Sequence, residues 1–219
     1  MKTHKRKIKQ KNIRVAKRCS ADIAIGKLEK GTDCFILTYG QFSLIDALMS
    51  VMAQTGPAHV VISTWTAAHA HLDRAAELLE TANFLSFKMI VDRSFKTRQP
   101  KYFHHCIELF GCESIREINT HAKFIAIKND EWNVAIKTSM NLNENPRLEN
   151  LEITENKGLC EFFFSVADEV FREVKPNESK SELPLFDGIK ETEQLTLLKG
   201  NAIKRENLNE CKTTHTIAD

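Results

Sequence analysis

Residues 120–152 read THAKFIAIKNDEWNVAIKTSMNLNENPRLENLE. Two apolar runs, Lys123–Ile127 (KFIAI) and Trp132–Lys137 (WNVAIK), flank the polar step Lys128-Asn129-Asp130-Glu131. That pattern predicts a β-hairpin. His121 and Lys123 stand two apart at the start of the first strand, so period-two alternation turns both side chains to one face. Ser139 and Asn141 stand two apart at the end of the second strand. One face of one hairpin thus presents an imidazole, an ammonium, a hydroxyl and an amide. Such a set is able to attack a phosphodiester and to stabilise its charge.

Upstream, strands and helices alternate. Cys34–Tyr39 (CFILTY), Ala58–Ser63 (AHVVIS) and Leu85–Val91 (LSFKMIV) read as buried strands. Ser43–Thr55 between the first two carries Ile45, Leu48, Met49 and Met52 at helical spacing and closes at Gly56-Pro57. Ala67–Ala82 is a second helix, with Leu72, Ala75, Ala76 and Leu79 on one face, and Lys101–Phe110 a third, ending at Gly111. This alternation predicts parallel strands covered by helices. Ile115–Ile118 and Leu151–Thr154 add short strands around the hairpin. Gly158–Val174 closes the body as a helix, with Leu159, Phe162, Phe163, Val166, Val170 and Val174 as its apolar stripe. The expected fold class is α/β, a mixed β-sheet sandwiched by helices.

The hairpin stretch resembles the HKD signature of the phospholipase D superfamily, HxKxxxxD followed by GSxN. His121 and Lys123 match HxK, and Ser139 and Asn141 match the Ser and Asn of GSxN. Glu149-Asn150 resembles the Glu-Asn step that follows the motif in the small bacterial nucleases of that superfamily. The detailed match covers about residues 120–152, and the element order of 34–175 agrees with one superfamily half-unit. Two positions depart: Lys128 stands where the motif has Asp, and Thr138 where GSxN has Gly. The resemblance implies a phosphodiesterase, a metal-independent nuclease without cofactor, working through a phosphohistidine on His121. Glu149 would orient the imidazole, while Lys123 and Asn141 hold the phosphoryl oxygens and Ser139 assists. One motif supplies one histidine, so the resemblance implies a homodimer that brings two together. The competing readings are a non-catalytic nucleic-acid-binding protein that kept the fold, and a hydrolase of lipids or small phosphodiesters.

Charge distribution favours nucleic acid. Of the 31 Lys and Arg, nine fall in residues 1–18 with no acid, which leaves 22 basic against 29 acidic groups in the rest. Lys5, Arg6, Lys7, Lys9 and Lys11 form the densest part of this basic arm, expected over 1–19, and are candidate phosphate contacts. Arg93, just beyond the third strand, is another, at the carboxyl edge where α/β sites gather. Trp65 follows the second strand at the same edge, where core or rim packing competes with base stacking.

The body is expected over 20–175. The polar segment 176–219, with Phe186 as its one aromatic residue, buries little and is expected to be disordered. Within it, Gln194-Leu195-Thr196-Leu197-Leu198 resembles the peptide by which bacterial replication and repair proteins dock on the sliding clamp; residues 182–186 are a looser version.

Other classes are excluded or weak. Hydrophobic residues at 42% and charged residues at 27% suit a globular chain, not a collagenous or wholly disordered one. No run nears the ~18 apolar residues of a membrane span. A basic N-terminus without an apolar core segment points to the cytoplasm. The six cysteines form no CxxC pair, and His69 and His71 have no evident third ligand, so no metal site is expected. There is no P-loop and no GxGxxG.

Overall fold

The computed structural model describes residues 12–16, 19–65, 84–142 and 147–178. All lie in one compact unit, Thr3–Pro184. Its centre is an eight-stranded mixed sheet: β1 (Asn12–Ala16), β2 (Asp33–Thr38), β3 (Ala58–Thr64), β4 (Phe84–Asp92), β5 (Ile115–Ile118), β6 (Phe124–Lys128), β7 (Asn133–Thr138) and β8 (Glu149–Glu155). The spatial order is β1-β2-β8-β7-β6-β3-β4-β5. Helices α1 (Ala21–Ile25), α2 (Leu44–Thr55), α3 (Ser94–Arg98), α4 (Pro100–Phe110) and α5 (Lys157–Glu173) complete the described body. The α/β class read from the sequence is the class observed.

The hairpin forms as its sequence predicts, with Phe124 opposite Lys137 and Lys128 opposite Asn133. Asn129 shapes the turn: its side-chain oxygen accepts from the amides of Glu131 (3.0 Å) and Trp132 (2.7 Å). Its amide nitrogen donates to the carbonyls of Thr55 and Pro57, pinning the turn to the end of α2. β3 joins β6 antiparallel and β4 parallel, so the hairpin sits beside the parallel strands β3-β4-β5. β2 does not adjoin them. It pairs antiparallel with β8 and runs in the same direction as β3 across three intervening strands.

Two-sided cover explains the unbroken burial of Val60, Val61 and Ile62 in β3. One face carries the main core, where Ile45, Leu48 and Val51 of α2 and Phe103 of α4 cluster with Val60, Ile62, Met89, Ile125, Ile127 and Ile136. The other face receives α5, with Phe163 stacked on Phe124 at 4.2 Å between ring centroids and 9° between planes. The buried residues of α5 are Cys160, Phe163, Ala167, Glu169 and Val170, which keep Phe163 and Val170 of the expected stripe and turn much of the rest toward the helix flank. Leu159, Phe162 and Val166 are only half-buried. Small residues at 160 and 167 let the helix approach the sheet, and that contact sets which side faces inward.

One further feature differs from the sequence reading. Asn12–Ala16, expected within the basic arm, is an edge strand parallel to β2. Its five residues form a strand too short to stand out from a run of cations. Ala67–Ala82, residues 1–11 and the segment beyond 178 lie outside the described residues. Among the described residues no helix is long and apolar enough to cross a membrane.

Helix boundaries follow local chemistry. The Ser43 hydroxyl accepts from the Asp46 amide at 3.1 Å, and the Asp46 carboxylate accepts from the Ser43 amide at 2.8 Å, a reciprocal cap on α2. Gly56 ends the helix at φ 74°, a left-handed conformation that costs glycine little. Ser43 is fully buried. Ser43→Ala is therefore expected to lower unfolding free energy by about 1–2 kcal/mol, read by urea denaturation with an unchanged slope.

Candidate active site at the carboxyl edge of the sheet

The strand directions bring several predicted residues to one edge. β3, β4 and β7 end there, while β6 and β8 begin there. His121 and Lys123 lie on the segment entering β6. Thr138 and Ser139 lie at the end of β7, and Glu149 and Asn150 at the start of β8.

His121 is exposed and Lys123 half-buried. Lys123 Nζ lies 3.1 Å from His121 Nδ1 and 3.4 Å from Nε2, and donates to the His121 carbonyl at 3.1 Å. The ammonium thus straddles the two ring nitrogens, placing positive charge within a phosphate's width of the imidazole. Burial pushes the Lys123 pKa down, and the Glu149 carboxylate opposes this in part.

Glu149 does not meet the imidazole. Its Oε2 accepts a short hydrogen bond from the Ser139 hydroxyl. That hydroxyl also accepts from the Asn150 amide at 3.0 Å, and the Ser139 amide donates to the Asn150 carbonyl at 3.2 Å. Thr138, in place of the motif's glycine, donates its hydroxyl to the same Asn150 carbonyl at 2.6 Å and accepts from the Met140 amide at 2.9 Å. Its own amide donates to the Lys123 carbonyl at 3.3 Å, joining the two halves of the site. His121, Lys123, Glu149 and Ser139 therefore form one continuous chain of interactions. The Asn141 Oδ1 is buried without a hydrogen-bond partner.

The loop that carries His121 is held from β4. Asp92, 6% exposed, accepts from the Thr120 amide at 3.0 Å through Oδ2. Through Oδ1 it accepts from the Ser94 amide at 2.9 Å and, closely, from the Ser94 hydroxyl. Burial alone pushes this carboxyl up. The Ser94 hydroxyl, the Ser94 and Thr120 amides and Arg93 outweigh it and hold the group below the usual carboxylate range. The Arg93 amide donates to the Ile118 carbonyl at 2.9 Å, so a second bond ties the same two loops. On the β3 side, the Ser63 hydroxyl donates to the Ala122 carbonyl at 2.9 Å.

The Trp65 indole lies 5.6 Å from the His121 ring, tilted by 47°, and the Arg98 guanidinium lies 4.8 Å over the indole. Arg98 was not singled out in the sequence. Its one available signal is its place five residues beyond Arg93, near the carboxyl edge. Arg93 itself is exposed, whereas Lys5, Arg6, Lys7, Lys9 and Lys11, with His69 and His71, lie outside the described residues. Lys128, at the motif's Asp position, ends β6 at the far edge of the sheet, opposite Asn133 and His59.

No family model and no curated protein matches the sequence. Among solved structures, the chain overlaps Nuc from Salmonella typhimurium, a phospholipase D family member, with a TM-score of 0.48 and 13% identity over 68% of this chain and 100% of that one. It overlaps NucT from Helicobacter pylori with a TM-score of 0.44 and 13% identity, over 66% of this chain and 99% of that one. It overlaps polyphosphate kinase from Porphyromonas gingivalis with a TM-score of 0.47 and 14% identity, over 68% of this chain but 27% of the kinase. Overlaps at this level settle no family, and the functional reading rests on the residues of the site.

Two outcomes follow from the electrostatics. Because the folded Asp92 pKa is depressed, its stabilisation is full above the unfolded value and is lost as pH falls through the folded one. The stability gap between the parent chain and Asp92→Asn should be about 2 kcal/mol near neutrality and close in acid, read by urea denaturation across pH. A gap independent of pH would contradict this. Glu149→Gln removes the charge that opposes burial at Lys123. The Lys123 Nζ titration followed by NMR should then move to lower pH, and a midpoint unmoved or raised would show that Glu149 has no hold on it.

Proposed function

We propose that this chain is a phosphodiesterase of the phospholipase D type, a nuclease that works through a phosphohistidine. The observation that carries the reading is the solvent-exposed His121 imidazole with the Lys123 ammonium 3.1 Å from it. The His-x-Lys and Ser-x-Asn spacing and the basic residues of 1–18 support it.

In this mechanism a ring nitrogen of His121 attacks phosphorus, a P–N bond forms, and the P–O bond to the leaving oxygen breaks. Lys123 neutralises the non-bridging oxygens as charge gathers on them. Its depressed pKa reflects an ammonium partly stripped of water, and a desolvated cation interacts more strongly with an oxyanion. The Glu149–Ser139 pair fixes the rim on which the phosphoryl group rests and holds a carboxylate near Lys123. Water then attacks phosphorus, the P–N bond breaks, and the histidine is released.

A second acid–base group must protonate the leaving oxygen and later activate water. We assign it to His121 of a second copy, in a homodimer whose two sites face each other. Sedimentation should then report a dimer at working concentrations.

The direct test is to trap phosphate on histidine. Turnover of a phosphorus-labelled oligonucleotide quenched in alkaline denaturant should leave label on His121, and acid treatment should release it from the P–N bond. His121→Ala should abolish turnover, a loss on the order of 10³-fold or more, while oligonucleotide binding persists. If His121→Ala leaves turnover intact, the mechanism is wrong. If the parent chain binds nucleic acid without cleaving it, the protein is a binding module on this fold. Turnover should also persist in EDTA.

A further inference from the structure

We infer that Arg98 and Trp65 form a nucleotide subsite beside His121, which takes a base on the stacked guanidinium–indole surface and its phosphate on the guanidinium edge. This deepens the nuclease reading and rests on it: the substrate becomes a polymer with flat bases next to the scissile phosphate, not a lipid or a simple diester.

Three observations carry it. Trp65 stands at the end of β3, half-buried, with its ring 5.6 Å from the His121 ring. Arg98 is exposed and lies over that indole at 4.8 Å, and among the described residues no carboxylate pairs with it. The guanidinium is therefore ordered by cation–π contact while its N–H groups stay available. The third observation is the rigidity of the support. Phe95, on the same turn of α3, is 1% exposed and packs edge-on against Phe103 at 6.0 Å. The Gln99 amide closes the turn on the Phe95 carbonyl at 2.8 Å. At the other end of α3, Ser94 is held by Asp92, the residue that also holds Thr120 next to His121. Arg98 and His121 thus hang from one locked pair of loops.

The chemistry of the surface selects its ligand. A plane of π-electrons backed by a fixed positive charge suits a group that offers a flat ring and an anion together. Bases stack on aromatic rings and on arginine planes whatever their sequence, and the adjoining phosphate meets the charge. A phospholipid headgroup offers the phosphate without the ring.

The test compares kcat/KM for a single-stranded oligonucleotide, glycerophosphocholine as a small diester without a ring, and phosphatidylcholine vesicles, in the full chain and in Trp65→Ala, Trp65→Phe and Arg98→Ala. On the oligonucleotide, Trp65→Ala and Arg98→Ala should lose about ten- to a hundredfold, mostly through a raised KM, as expected for one stacked base. The loss on the small diester should be several-fold smaller, and Trp65→Phe should recover much of the oligonucleotide activity. Equal losses on both diesters would show that the pair merely packs against His121 and would overturn the subsite. A loss confined to phosphatidylcholine would overturn it too, in favour of a headgroup site. Binding of the same oligonucleotide to His121→Ala, with and without Arg98→Ala, separates this inference from the mechanism. Weaker binding without Arg98 supports the subsite even if no phosphohistidine is found. Unchanged binding removes it even if His121 is the nucleophile.

Discussion

The Asp92 carboxylate holds two loops with its two oxygens, and the geometry of the site depends on that clamp. One oxygen fixes the first residue of α3, and the other fixes the residue before His121. His121 precedes β6 and gains no ladder hydrogen bond of its own. Without the clamp its connection would keep the Ser63 bond to Ala122 and the Arg93 bond to Ile118 but lose the bond nearest His121 on its N-terminal side. Asp92 is buried, and an ionised carboxylate in that position is tolerable only because hydrogen bonds meet it on both sides. The requirement runs both ways: the loops need the carboxylate, and the carboxylate needs the loop amides.

Desolvation sets the character of the neighbouring charge. Lys123 is half-buried beside His121, and losing water there makes its ammonium harder to keep. Glu149 moderates the effect without touching the imidazole. Its hydrogen bond goes to Ser139, so the carboxylate that the family resemblance assigns to orienting histidine braces the rim instead. In this chain the bonds around His121 come from Lys123, and its ring neighbour is Trp65.

Thr138 shows how a departure from a motif is accommodated. A glycine would leave the β7 end free to bend. The threonine hydroxyl bridges the Asn150 carbonyl and the Met140 amide and secures the same turn with a side chain. Lys128 is different. It lies at the opposite end of β6 from His121, so its charge is remote from the imidazole.

Much of this was readable in one dimension. The hairpin, most strand positions and the span of α2 follow from alternation and helical spacing, local effects that neighbouring residues express by themselves. The grouping of His121 with Lys123 follows from their being two apart on a single short segment, with the Lys123 side chain reaching back to the ring. What the chain order did not contain is which strands would lie side by side. The antiparallel pairing of β7 with β8 places Glu149 against Ser139. The parallel register of β4 and β5 brings Asp92 to Thr120. The end of β3 brings Trp65, and behind it Arg98, to the imidazole. Those contacts join residues from ten to more than fifty positions apart, and only the packing of one sheet between two layers of helices decides them. The stripe of α5 and the strand hidden in the basic arm were out of reach for the same reason: burial and edge pairing belong to the assembled sheet and not to any one segment.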